Sequence, residues 1–215
     1  MIWVTFAVPF ESAAFRRRPA SRAVRILHTG VGSDAARIAI EQALCNAEEL
    51  PERVLVSGFA GALIPELSIG EIVIGEGIRG SWRRVHFAQS DKVLATADAK
   101  RVFRERTGAD VVDMETDAIQ EACATAGVPA LPIRAISDGA NEDLGLPPDL
   151  LEDLSTHPLK SAPRLVATLC TNGARRKAFL ELIRNCRQAQ CALANALEQE
   201  LTLHGVVENP NASTG

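Results

Sequence analysis

The sequence predicts an α/β fold, a mostly parallel or mixed sheet with helices covering both faces. Three observations carry that prediction. Short apolar runs such as Val54–Ser57, Val111–Asp113 and Ala130–Ile136 alternate with stretches whose apolar residues recur at helical spacing. Two runs stop abruptly at acids, in Asp110-Val111-Val112-Asp113-Met114-Glu115 and Pro132-Ile133-Arg134-Ala135-Ile136-Ser137-Asp138-Gly139, and Thr116 to Ala126 between them is helical in pattern. That segment reads as a strand–helix–strand unit. Finally, 215 residues with 47% hydrophobic content suffice for one sizeable domain with a buried core.

Taken in order, Ile2–Ala7 opens the chain as a strand, and a short helix begins at about Glu11. Val24–His28 is a second strand ending in the turn Thr29-Gly30-Val31-Gly32, and Ser33 is a candidate cap for the helix running to Cys45. Val54–Ser57 leads into the turn-like Gly58-Phe59-Ala60-Gly61, and Glu71–Ile78 alternates as another strand. Ala97–Arg106 reads as a helix ahead of the strand–helix–strand unit. Residues Gly139–Ser161, with Pro147-Pro148 and Thr156-His157-Pro158, read as an irregular connection, either a lid or a plain surface loop. From Arg175 to Leu203 the apolar residues Phe179, Ile183, Cys186, Leu193, Leu197 and Leu201 mark a long terminal helix. The polar Glu208–Gly215 reads as a disordered tail, which leaves 1–207 as a single domain without repeats or linkers.

Composition excludes several classes of function. A net charge of −4 gives no footprint for nucleic acid, and the clusters Arg16-Arg17-Arg18 and Arg83-Arg84 are short enough to be solvated surface. No apolar run approaches the roughly 18 residues of a membrane span. The first apolar stretch lacks a basic flank and is interrupted by Glu11, so a signal peptide is not expected. The five scattered cysteines and four isolated histidines show no ligand spacing, so neither a disulfide framework nor a metal site is expected. Reduced thiols in a cytoplasmic protein are the natural reading.

Ligands of open α/β sheets gather beyond the carboxyl ends of the strands. Glu115 and Asp138 then face one crevice, with Arg134 on the strand leading to it. Two acids and an arginine suit chemistry that builds positive charge on a sugar and must protonate its leaving group. The expectation is cleavage of a nucleoside's glycosidic bond. Gly30-x-Gly32-x-x-Ala35 superficially fits a dinucleotide fingerprint, but it follows the second strand, and the next strand ends at Ser57 where an acid should grip a ribose. A turn lining the pocket, with Gly30 and Gly32 as candidate anion-binding amides, fits better.

Six motifs in order, Ala7-x-x-x-Glu11, Thr29-Gly30-x-Gly32, Gly58-x-Ala60-Gly61, Gly70-Glu71-Ile72-Val73, Asp113-Met114-Glu115 and Arg134-Ala135-Ile136-Ser137-Asp138, carry a resemblance over roughly residues 1–140. They resemble the nucleoside phosphorylase/nucleosidase family, in particular methylthioadenosine/S-adenosylhomocysteine nucleosidases and phosphorylase-like proteins associated with hopanoid biosynthesis. The resemblance implies a three-layer α/β/α sandwich around a twisted mixed sheet, a purine (adenine, 5′-substituted) nucleoside as substrate, and a homodimer or larger homo-oligomer. It implies no cofactor. It assigns leaving-base protonation to Asp138, activation of water to Glu11 and orientation of the nucleophile to Arg134. Glu115 would accept hydrogen bonds from ribose hydroxyls and Met114 would pack on the sugar, with Asp113 and Ser137 beside them. Partial burial would keep Asp138 protonated. On local sequence alone Asp138 could instead cap a loop, Glu11 and Glu115 could be first-turn helix acids, and Arg134 could be a structural partner of Glu115 or Asp113.

The sequence also departs from that family. A turn position bearing a hydroxyl in many relatives is Phe59, which cannot donate a hydrogen bond to phosphate or water. The segment between Gly77 and Ala109 is short, and Val93, in Gln89-Ser90-Asp91-Lys92-Val93, stands in for an aromatic platform beneath the base. Glu11 favours water, because a carboxylate repels an incoming phosphate dianion. Phosphate-dependent cleavage in the same pocket and a nucleoside-binding protein without chemistry are the alternatives.

Overall fold

A computed structural model describes residues 1–78, 81–156, 158–171 and 173–206. The expected tail, 208–215, and His157 lie outside the described residues. The elements in order are β1 (Ile2–Phe6), α1 (Pro9–Ser12), two 3-10 turns (Phe15–Arg17, Pro19–Ala23), β2 (Arg25–His28), α2 (Ser33–Cys45) and β3 (Arg53–Ala62). Then follow β4 (Ile72–Ile74), β5 (Arg83–Arg84), β6 (Phe87–Gln89), α3 (Ala97–Thr107), β7 (Val111–Asp113), α4 (Thr116–Thr125), β8 (Ala130–Asp138), α5 (Pro148–Thr156), α6 (Pro158–Thr171) and α7 (Gly173–Leu203).

The strands form one mixed sheet in the order β2-β1-β3-β8-β4-β5, with β7 joined to β3 and β6. β1, β2, β3 and β8 are parallel, whereas β4 runs antiparallel to β8 and β7 antiparallel to the end of β3. Strand alternation buries both faces. Ile2, Val4, Phe6 and Leu55 pack with Leu193, Leu197 and Leu201 of α7. Trp3, Val54 and Val56 turn the other way, onto Ile40 of α2 and Ile119 of α4. The result is the expected three-layer α/β/α sandwich. Among the described residues no helix is long and apolar enough to cross a membrane.

Three local expectations are corrected. Gly58-Phe59-Ala60-Gly61 is not a turn: β3 continues through it, paired residue by residue with β8. Ser33 is not a cap: Gly32, at φ +89°, is the N-cap of α2 and Ser33 is the first helical residue. Residues 139–161 are not irregular throughout, since α5 starts at Pro148 and α6 at Pro158. Proline at the first helical position has no N–H to waste and a φ already suited to the helix, so both prolines start helices rather than break them. The strand expected over Glu71–Ile78 is shorter, because β4 ends at Ile74, ahead of Gly75 and the positive-φ Gly77.

Candidate active site

β3 is the element on which the site is built. Its first half pairs with β1, residues 54–61 with β8, and its last two residues with β7. The ends of β1, β7 and β8 are thereby gathered around residues 58–61. At Ala60/Gly61 the register slips: Ala60 faces Ile136 and Gly61 faces Asp138, leaving Ser137 as an extra residue on β8. Such a bulge re-aims the strand end. Here it brings the Asp138 carboxylate over Gly61, where a Cβ would stand 3.0 Å from Oδ2.

A cavity of about 280 Å³ opens here, lined by Glu11, Phe59, Val93, Asp113, Met114, Glu115, Ser137 and Asp138. That volume is near the lower end of the roughly 300–1,000 Å³ typical of small-molecule sites. Every residue assigned a catalytic or substrate-binding role from the sequence lines it except Arg134. Phe10, half-exposed, stands edge-on to Phe59 at a centroid distance of 6.3 Å and forms part of the wall.

Glu11 is fixed by three peptide N–H groups. Ala7 and Val8 donate to Oε2 at 2.9 and 3.3 Å, and Phe59 donates to Oε1 at 3.0 Å. Phe59 thus contributes its backbone where its side chain cannot donate. Burial raises the pKa of Glu11 above the usual carboxylate value, against the opposing pull of Arg134 and these N–H donors. Glu115 accepts from Gly32 N–H at 3.0 Å. Burial, the largest effect, pushes its pKa to about 7, with Arg134 opposing and the neighbouring charges of Asp113 and Glu11 adding to the rise.

Arg134 lies beneath the pocket floor, only 1% exposed. Its NH2 is 2.5 Å from Asp113 Oδ2 and 3.5 Å from Glu115 Oε2, and it donates to Thr116 Oγ1 at 3.0 Å. NH1 points at the carbonyls of Ser57 and Phe59, at 3.5 and 3.4 Å. Thr116 also bridges to Asp113 through its hydroxyl. This geometry matches the structural-partner alternative for Arg134. Gly58, at φ +148°, leaves the room, since a Cβ there would collide with NH1 and lie 3.0 Å from Glu11 Oε1.

Neither candidate anion-binding amide is free. Gly30 N–H donates to Ala7 O at 3.0 Å, and Gly32 N–H is the donor already held by Glu115. Only Val31 of that turn lines the cavity.

At the opposite wall Asp138, expected to be a partly buried acid, is buried beside a cation. Lys100 Nζ, from α3, lies 2.5 Å from its Oδ2, and Ser137 Oγ donates to Oδ1 at 2.7 Å. Lys100 is 1% exposed, and its ammonium also donates to Gly139 O and Glu142 O at 2.7 and 3.3 Å. Sequence reasoning missed this residue. The available signal was a lysine three positions before the buried Phe103, on the inward face of α3. Cys186 of α7 also reaches the cavity, and burial pushes its thiol up to about 12.

Comparison with known proteins places this fold among solved structures. Residues 82–170 match the family model described as the phosphorylase superfamily, and over nearly its whole length the chain shares its fold with solved structures. It is similar to futalosine hydrolase of Helicobacter pylori (TM-score 0.65, 14% identity, 94% of this chain and 97% of that one). It is similar also to the 5′-methylthioadenosine/S-adenosylhomocysteine nucleosidase of the same organism, solved with butyl-thio-DADMe-Immucillin-A (TM-score 0.64, 14% identity, 94% and 97%). A third is the 5′-methylthioadenosine nucleosidase of Arabidopsis thaliana (TM-score 0.63, 11% identity, 97% and 96%). No curated protein matches the sequence.

Proposed function

We propose that this chain is an enzyme that cleaves the N-glycosidic bond of a nucleoside with water as the nucleophile. The observation that carries the reading is the charge arrangement of the cavity. Glu11, Asp113 and Glu115 share the buried guanidinium of Arg134, so the floor offers an excess of negative charge to whatever lies above it. That field suits a ribosyl oxocarbenium ion, because fixed charges aimed at charge that develops only in the transition state lower the barrier most. Glu115 accepts from the ribose hydroxyls and Met114 packs on the sugar. Asp138, across the cavity, passes a proton to the departing purine nitrogen, and Glu11 takes one from the attacking water.

Water is favoured over phosphate by the same features. A phosphate dianion would meet three carboxylates, the one guanidinium among them is already engaged, and both glycine amides are taken. The finer reading is an adenine nucleoside with a 5′-substituent, which the nucleosidases of similar fold act on by name.

The test is incubation with methylthioadenosine, adenosine and inosine, with and without phosphate, followed by chromatography. Free base and free sugar without phosphate are expected from at least one substrate, and Asp138→Asn should lose turnover by about 10²–10⁴-fold with an unchanged circular dichroism spectrum. Ribose 1-phosphate formed only with phosphate would replace hydrolysis by phosphorolysis. Absence of cleavage in every condition would favour a binding protein.

A further inference from the structure

Asp138 has a partner that the reading above does not use. We propose that Lys100 is the proton reservoir behind Asp138, so that the leaving base is protonated through a Lys100–Asp138 relay. The inference rests on the glycosidic-cleavage reading and adds a residue to it.

The argument begins with the ion pair. With Nζ 2.5 Å from Oδ2, the Lys100 ammonium and the Asp138 carboxylate are in direct contact as an ion pair. A carboxylate cannot act as an acid unless it first receives a proton, and Lys100 is the adjacent donor. Ser137 already donates to the other oxygen, so the carboxylate is held for transfer rather than free to rotate. The two backbone carbonyls of Gly139 and Glu142 keep Nζ in place as its charge changes. Lys100 also lines the cavity, and Asp138 and Glu142 both border a second, polar hollow of about 620 Å³ on the α7 side, a route for water to the pair.

The step balances. As the glycosidic C–N bond breaks, its electron pair moves onto the base. One Nζ–H bond of Lys100 breaks and an O–H bond forms on Asp138; that O–H is given up as an N–H forms on the base. Asp138 ends as it began, a carboxylate. Lys100 ends as a neutral amine and regains its proton from water after the base departs. Lys100 acts through Asp138, and is in that sense a positioning residue with a mobile proton. Lysine suits this task because its ammonium can deprotonate in a buried site, whereas a guanidinium does not.

Two variants and two substrates separate the possibilities. Methylthioadenosine needs a proton on its leaving group; p-nitrophenyl β-D-ribofuranoside, whose phenolate leaves readily, does not. Lys100→Met and Lys100→Arg should each lose about a hundredfold or more in kcat on methylthioadenosine, with KM little changed. Both should keep activity near wild type on the p-nitrophenyl substrate. Full recovery by Lys100→Arg would overturn the relay, since a fixed positive charge would then suffice. Equal losses on both substrates would overturn it as well and make Lys100 structural. If Lys100→Met fails to fold, Lys100→Arg alone gives the same contrast. Wild-type protein that cleaves neither the p-nitrophenyl substrate nor any of methylthioadenosine, adenosine and inosine would sink the glycosidic reading itself, an outcome distinct from loss in the variants alone.

Discussion

Glu115→Gln should stabilise the protein at alkaline pH while it damages turnover. Burial holds the Glu115 carboxyl at about 7 against an ordinary 4.5. The folded state therefore binds this proton more tightly than the unfolded chain does. Wild-type stability from this group is complete below the unfolded value, declines as pH rises from about 4.5 to about 7, and stays reduced above that. A gap of about 2.5 pH units, at about 1.4 kcal/mol each, amounts to about 3 kcal/mol at pH 8. Glutamine mimics the protonated form: it needs no charge desolvated and keeps an oxygen for Gly32 N–H. Asp113 and Glu11 remain to balance Arg134. Urea denaturation of both proteins should show nearly equal stability at about pH 4 and an advantage for the variant growing to about 3 kcal/mol by about pH 8. In melting temperature that is roughly 6–12 °C for a chain of this size. Turnover should fall, because the amide offers the ribosyl cation no full negative charge. A difference that does not change with pH, or a variant less stable than wild type at pH about 8, would refute the reasoning.

Two further perturbations address the same cluster. Arg134→Met leaves Asp113, Glu115 and Glu11 without their shared cation and should cost about 3–5 kcal/mol at neutral pH, less in acid as the carboxyls take up protons; if denaturation instead shows unchanged stability with only a weakened response to phosphate, Arg134 serves an incoming anion. Gly58→Ala places a methyl against Arg134 and Glu11 at a φ that favours glycine, and should lower stability by about 1–3 kcal/mol, read as a drop in melting temperature together with lost turnover.

Much of the fold was legible because its signals are local. The strand runs, α2, α3, α4 and α7 follow from periodicity, and the acids at 113, 115 and 138 stand where apolar runs end. What was not legible depends on pairing across the chain. That residues 58–61 are strand rather than turn is decided by β8, seventy-odd residues away, whose edge captures their backbone. Helix α5 was obscured because Pro147-Pro148 reads equally as a breaker and as a helix start, and only the helix that follows decides between them. The engagement of Gly32 N–H by Glu115 and of Asp138 by Lys100 spans 83 and 38 residues respectively, and no local pattern encodes either contact.

The two walls of the cavity pair carboxylates with cations of different kinds, a difference that fits the chemistry proposed for each side. Around the sugar, the field should stay constant while charge develops and collapses, and Arg134 is a cation that keeps its proton throughout. Buried under Asp113, Glu115 and Glu11, it holds three acids together without becoming a proton donor that would neutralise them. Around the base, the proposed relay moves a charge, and there the cation is Lys100, in contact with Asp138. Exchanging the two would spoil both walls. A lysine among three carboxylates could release its proton into the cluster and dissipate the negative field, while an arginine behind Asp138 would hold the carboxylate permanently ionised and leave the base without its proton. The residue types at 134 and 100 are thus constrained by more than charge, which is why the arginine variant at 100 is the sharper test than removal of the side chain.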